Sequence, residues 1–103
     1  MQLTERHKKH LRALAHNAKP VVTIGDKGLS KNVLAELEAA LKHHELIKVR
    51  VRAGDRDGRD ALLASLCEQC RCTLIRRVGH VATLFRRNAQ KPKIVLAGLK
   101  DPS

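Results

Sequence analysis

Three successive elements are indicated by the sequence Val21-Val22-Thr23-Ile24-Gly25-Asp26-Lys27-Gly28-Leu29-Ser30. Its first four residues are apolar or β-branched, which is typical of a short buried strand. Two glycines then mark a loop, and Ser30 is a good N-cap for a helix that we predict to end near His44. An apolar stripe at helical spacing follows the cap, formed by Val33, Leu34, Leu37, Ala40 and Leu41. The stretch therefore predicts a strand, a loop and a helix in immediate succession.

A second strand is predicted after this helix, from Leu46 to Arg52. Its side chains alternate, with Leu46, Lys48, Arg50 and Arg52 on one face and Ile47, Val49 and Val51 on the other. Such alternation indicates one buried face and one basic, solvated face. Because a strand–helix–strand unit favours a right-handed crossover, the two strands should be parallel.

The remaining elements follow from similar signals. Thr4 can cap a first helix that runs to about His16. A turn at residues 55–58 leads to a third helix, roughly Arg59 to Arg71, and residues 73–86 form a hairpin that turns at Gly79-His80. The order α-β-α-β-α-β-β predicts an α/β protein of the α+β two-layer type, with helices packed on a four-stranded mixed sheet.

One domain should span residues 1–90, followed by a polar and basic C-terminal tail over residues 91–103. Within the tail, the apolar patch Ile94-Val95-Leu96 either adds extended pairing or lies loosely. No run of 18 apolar residues or secretory signal is present, and three cysteines within six residues do not make a disulfide framework. We therefore expect a cytoplasmic protein in a reducing compartment, without a membrane partner.

Charge indicates the partner. Lysine and arginine total 21 against 10 acids, which gives a net charge of +11. The charge is also unevenly distributed, because residues 69–100 contain eight basic residues and no acid. A small domain with this excess favours a polyanion, and nucleic acid in particular. Since Phe85 is the only phenylalanine and the sequence has no tryptophan or tyrosine, recognition should use phosphate, sugar and shape more than base stacking.

The loop from Gly25 to Gly28 is the first candidate site. Glycines let backbone amides approach a phosphate, and the start of the next helix adds free N–H donors. A lone G-x-x-G is also compatible with an ordinary tight turn, and the flanking lysines favour the phosphate interpretation. Basic residues on the second strand, the first helix and the hairpin are further candidates, or a merely solvated surface. The candidate contacts are Gly25, Asp26, Lys27, Gly28, Lys31, Lys8, Lys9, Arg12, Lys48, Arg50, Arg52 and Arg86, with Arg76 or Arg77 as an extension.

Other clusters favour structural roles. Cys67, Cys70 and Cys72 resemble a partial metal cluster, but no second C-x-x-C supplies a fourth ligand, and two of the three fall on a helix stripe. His43-His44-Glu45 is better explained as a helix C-terminus, and the aspartates at 55, 57 and 60 as turn and cap residues. No catalytic set stands out, so we expect no enzyme activity and no cofactor or metal.

Three ordered motifs resemble the CRM domain family: Lys19–Leu29 with Val33, Leu34 and Glu36; His43–Val49; and Gly79–Arg86. The chain is most similar to the stand-alone bacterial members, the YhbY-type proteins. The resemblance covers about residues 3–87 and implies a fold similar to the C-terminal domain of the third bacterial translation initiation factor. It also implies association with precursors of the large (50S) ribosomal subunit, and RNA contact by the G-x-x-G loop, as in KH domains.

The sequence departs from the family pattern in two places. Phe85 stands where tyrosine is frequent, and Cys70-Arg71-Cys72 replaces a glycine-containing turn. The leading hypothesis is a ribosome assembly factor, a monomer that binds large-subunit ribosomal RNA. The alternatives are a general single-stranded RNA- or DNA-binding module without ribosomal specificity, and an RNA-modifying enzyme.

Overall fold

The fold is built on one four-stranded sheet, in a computed structural model that describes residues 3–52 and 54–96. The strands lie in the order β1-β2-β4-β3. The elements are α1 (Glu5–Ala15), β1 (Pro20–Ile24), α2 (Lys31–His44), β2 (Leu46–Val51), α3 (Arg56–Cys70), β3 (Thr73–Val78) and β4 (Val81–Phe85). The predicted order of elements and the mixed sheet are therefore confirmed.

One of the two inner strands of the sheet is β2. It runs parallel to β1, with Ile24 opposite Val51, and antiparallel to β4, with Val49 opposite Ala82. The β3–β4 hairpin completes the sheet and turns at Gly79, whose φ of +60° is a conformation that glycine adopts without strain. The basic side chains of β2 consequently lie in the middle of the sheet and not at its edge.

The main core lies between the sheet and the pair α2 and α3. Alternate residues of the strands point into it, as the period of two requires. Leu37 and Leu41 enter from α2, and Leu63 and Leu66 from α3, all of them fully buried. The complete buried cluster is Val22, Ile24, Leu37, Leu41, Ile47, Val49, Val51, Leu63, Leu66, Cys70, Ala82 and Leu84. Burial of these apolar side chains is the dominant stabilising term for this layer.

The first helix lies on the opposite face of the sheet, which the two-layer description did not predict. A second cluster joins Leu11 of α1 to Ile75, Phe85 and Leu96, with Leu46 packed against it. Phe85 is fully buried there, so the phenyl ring, which carries no hydroxyl, needs no polar partner. Helix α1 packs mainly on β2 and β3, so it covers one end of this face and leaves the other end open.

Side-chain caps fix where the helices begin. The Thr4 hydroxyl accepts from the amide of His7, and the His7 ring accepts in return from the amide of Thr4, so histidine takes the place that glutamate usually has in a capping box. Helix α3 begins at Arg56, and not near Arg59 as predicted, because Asp55 accepts from the amide of Gly58 at 2.8 Å. Gly58 had indicated a turn, but it belongs to the first turn of this helix.

A buried carboxylate holds the chain after β4. Glu45 is 0% exposed, and its two oxygens accept from the backbone amides of Asn88, Lys93 and Ile94 at 2.7–2.8 Å. This contact brings Leu96 into the second cluster, where it is buried. Ile94 and Leu96 of the apolar patch thus pack on the domain, whereas Val95 between them is exposed, and the described part of the chain shows no strand there. Residues 97–103 lie outside the described residues, and the domain boundary at residue 90 stays a prediction.

Candidate nucleic-acid interface

The Gly25–Gly28 loop is a tight turn between the end of β1 and the start of α2. The amide of Gly28 donates to the carbonyl of Gly25 at 3.0 Å, and Gly28 adopts a φ of +65°. Asp26 and Lys27 are exposed at the tip of this turn. The conformation requires glycine at position 28, since other residues are strained at a positive φ.

Gly25 is different, because the fold gives no reason for it to be glycine. Its φ is not positive, and a Cβ atom built on it meets nothing within 4 Å. A side chain here would project into open space beside the loop. The missing side chain therefore matters only to something that approaches the backbone from outside.

The start of α2 strengthens the positive field of the loop. The Ser30 hydroxyl accepts from the amide of Val33 at 3.2 Å, which leaves the amides of Lys31 and Asn32 without an intrahelical partner. The first turn of α2 contains no acid, and Lys31 is its first residue. A cation at this end opposes the helix dipole and costs stability, so its presence favours an anionic ligand.

The sheet face left open by α1 forms a basic groove of about 420 Å³. Lys48 and Arg50 of β2 and Arg76 of β3 line it from the sheet, and Arg12 and His16 line it from the end of α1. The ammonium group of Lys48 donates to the carbonyl of His16 at 3.3 Å, across the boundary between the helix and the sheet. Ala18, Pro20, Val78, Val81 and Thr83 complete the lining.

Arg52 connects the groove to the loop. Its amide donates to the carbonyl of Ile24, directly before Gly25, and with Arg50, His80 and Val81 it lines a second concavity. His80 is fixed there because its Nδ1 donates to the carbonyl of Val51 at 3.0 Å. Since alternate residues of a strand are about 7 Å apart, Lys48, Arg50 and Arg52 form a line of cations about 13 Å long that points to the loop.

The lysines of α1 extend this surface at its other end. Lys8 precedes Arg12 and His16 by one and two turns, so the three residues share one flank of the helix. The ammonium group of Lys8 lies 3.8 Å from the carboxylate of Glu5, and such an exposed pair is weak. Lys9 is exposed on the next position around the helix.

Arg86 lies apart from the loop, the open sheet face and α1. Its guanidinium pairs with Glu38 of α2 and donates to the carbonyl of Cys70 at 3.1 Å. The hydrogen bond from Arg86 lowers the pKa of the Glu38 carboxyl below its usual value. Arg86 therefore links the end of β4 to the middle of α2 and the end of α3, on the sheet face opposite the groove, and does not belong to the surface formed by the loop and the groove.

The hairpin arginines separate in the same way. Arg76 stands opposite Thr83 and reaches the open face, whereas Arg77 stands opposite Ala82 and pairs with Asp60 of α3 at 2.5 Å. His16 and His80 were missed in the sequence. His16 could have been found from its spacing of four residues from Arg12, but no local pattern marks His80.

The three cysteines belong to the core layer. A hydrogen bond between two thiols lowers the pKa of Cys67 and raises the pKa of Cys72, and burial raises the pKa of Cys70. Arg71 between them ends α3 in the left-handed conformation, at φ +54°, the position that glycine usually occupies. Within residues 3–52 and 54–96, no three His, Cys, Asp or Glu side chains are grouped to hold a metal ion, and no helix is long and apolar enough to cross a membrane.

Comparison with known proteins identifies the family to which this loop and sheet belong. Residues 3–86 match the CRS1/YhbY (CRM) domain. The chain belongs to the CRM family. A Pseudomonas aeruginosa relative, named a probable RNA-binding protein, is 44% identical over 93 residues, which cover 90% of this chain and 89% of the relative. A Haemophilus influenzae relative, named an RNA-binding protein, is 39% identical over 84 residues, which cover 82% and 85%.

Structural comparison agrees with this assignment. The solution structure of a hypothetical protein from Staphylococcus aureus has a TM-score of 0.75 to this CRM domain at 34% identity. The superposition covers 84% of this chain and 90% of that one. The resemblance read from the sequence motifs and the predicted fold are both confirmed.

Proposed function

We propose that this CRM-domain protein binds RNA of the large ribosomal subunit, in its precursor form, and acts as a non-enzymatic assembly factor without a cofactor. The proposed interface comprises Gly25, Asp26, Lys27, Gly28 and Lys31 at the loop, Lys48, Arg50, Arg52 and Arg76 on the sheet, and Lys8, Lys9 and Arg12 on α1. A monomer in the cytoplasm is sufficient for this role, because loop and sheet face lie on one chain. The names of the relatives and the family motifs support RNA as the ligand.

The observation that carries the proposal is the line of cations that runs from the loop over the open sheet face. Arg77 and Arg86 are neutralised by carboxylates on the side of α2 and α3. Among the described residues, no carboxylate pairs with Lys27, Arg50 or Arg52. Unpaired cations that follow a concave path from the loop to the groove attract a phosphate backbone and release its counterions.

Ribosomal specificity can be tested by competition. A labelled transcript of structured large-subunit ribosomal RNA is bound at fixed salt and challenged with unlabelled duplex DNA, single-stranded DNA or the same RNA. We expect RNA to compete at least about tenfold better than either DNA, since the 2′-hydroxyl and A-form shape distinguish the two. Co-sedimentation with precursors of the large subunit, across a salt series, then checks the ribosomal partner. Equal competition by DNA would instead support a general nucleic-acid-binding module.

Gly25→Ala should separate binding from stability. Because the Cβ has free space and φ is not positive, we expect the free energy of unfolding to stay the same or to rise by up to about 1 kcal/mol. The melting temperature should therefore not fall. RNA affinity should fall about fivefold, as the methyl group keeps phosphates from the amides. Gly28→Ala is the matched control, and should cost about 1 kcal/mol of stability because φ is positive there. Unchanged affinity of Gly25→Ala in a filter-binding assay would remove this backbone from the contact.

A further inference from the structure

The groove on the open sheet face combines two kinds of surface. Cations from three elements line it: Arg12 from α1, Lys48 and Arg50 from β2, and Arg76 from β3. Beside these cations lie the apolar side chains of Pro20, Val78 and Val81, together with Thr83. No carboxylate is among the residues that line it. Contact with phosphate alone needs only the cations, so the apolar part of the lining favours a ligand that also presents a flat apolar surface.

The size of the groove limits that ligand. A volume of about 420 Å³ lies at the lower end of the range for sites that hold one small molecule. This is room for a single nucleotide, and because the groove is open and adjoins the second concavity at Arg50 and Val81, the neighbouring backbone can extend beyond it. Arginine guanidinium planes stack on nucleobases as aromatic rings do, and Arg12 and Arg76 stand on different elements that border the same space.

We propose that this groove receives one unpaired nucleotide of the RNA, with its base over Val78 and Val81 and its phosphate on Lys48 and Arg50. The inference rests on the proposed function and deepens it, because it names the kind of RNA element that is recognised. The loop then holds the adjoining backbone, and Arg52 lies between the two sites. Duplex RNA satisfies this surface less well, because a base that is paired and stacked in a helix is not free to lie on Val78 and Val81.

Three hairpin RNAs of equal stem sequence provide the test. The first is fully paired, the second carries one bulged nucleotide, and the third carries an abasic site at the bulge, which keeps the phosphate and removes the base. We expect the bulged hairpin to bind about tenfold more tightly than the paired one, and the abasic hairpin to lose most of that gain. Equal affinity for the paired and bulged hairpins, or for the bulged and abasic ones, would overturn the proposal.

Matched variants assign the preference to the groove. Arg76→Gln removes one cation of the groove, and Arg71→Gln removes one exposed cation at the end of α3, beside Arg86. We expect Arg76→Gln to abolish the preference for the bulged hairpin and Arg71→Gln to preserve it. If Arg76→Gln keeps the full preference, the base is bound elsewhere and the proposal is wrong. Failure of the proposed function would give a different result, because the wild-type protein would then bind none of the hairpins better than duplex DNA.

Discussion

Replacement of Lys27 and Lys31 together by aspartate should weaken binding of large-subunit ribosomal RNA by about 100-fold at moderate salt. Both lysines are exposed and flank the free amides at the start of α2. Each substitution removes a phosphate contact and puts a carboxylate in its place, which repels the RNA backbone. The slope of log affinity against log salt should also become shallower by about one unit for each lysine lost.

The fold should tolerate this double change. Aspartate as the first residue of a helix is favourable to the dipole, so Lys31→Asp should add about 0.3–1 kcal/mol of stability. Loss of affinity can then be read as loss of contact, provided that the melting temperature is measured on the same samples. Unfolding would show itself as a lower melting temperature, which is the opposite of what we expect.

The control is Lys42→Asp with Lys91→Asp, which changes the net charge by the same amount. Lys42 is exposed in the last turn of α2, and Lys91 is exposed nearby, since Asn88 bonds to the backbone of both. We expect this control to lower RNA affinity less than about threefold, through the long-range field alone. Equal losses in the two double variants would mean that bulk charge, and not the loop, accounts for binding.

Glu45→Ala should cause the largest loss of stability of the changes considered, about 3–4 kcal/mol. The carboxylate is fully buried and accepts three backbone N–H groups. Removal of a charged acceptor leaves these amides without a partner unless the segment 88–94 detaches and reaches water. Detachment would also uncover the second core cluster, where Leu96 packs on Leu11 and Phe85. Chemical denaturation measures the loss, and hydrogen exchange of the amides of Asn88, Lys93 and Ile94 should become fast.

Glu45→Gly separates the carboxylate from the backbone. Glu45 has a φ of +64°, which is strained for any residue with a Cβ and relaxed for glycine. We therefore expect Glu45→Gly to be about 1 kcal/mol more stable than Glu45→Ala, while the same three amides exchange equally fast. Slow exchange of these amides in both variants would show that the segment is held by apolar packing and not by the carboxylate.

The predictable part of the fold is the part encoded in local patterns. Periodicity and side-chain caps gave every helix and strand, since Thr4, Ser30 and the alternation of β2 act within a few residues. Glu45 could not be interpreted in this way, because a glutamate after a helix is ordinarily exposed. Its partners lie more than 40 residues later in a segment of polar composition.

The same limit applies to the site. The loop and the basic face of β2 were visible in the sequence, because each lies in one continuous stretch. Whether Arg76, Arg77 or Arg86 belongs to the candidate interface depends on which face of the sheet each side chain reaches. A bulge between Leu74 and Arg76 shifts the register of β3, so that the face could not be counted from the sequence alone.

Carboxylates neutralise Arg77 and Arg86 on the side of α2 and α3, whereas the cations of the loop and the open sheet face are not neutralised in this way within the described residues. The molecule therefore has a permanent electric dipole moment. The field of a polyanion exerts a torque on this dipole moment, which turns the open sheet face and the loop toward the RNA before any atoms touch. A larger share of collisions then starts in a productive orientation, so the rate of association, more than the lifetime of the complex, should carry the dependence on ionic strength.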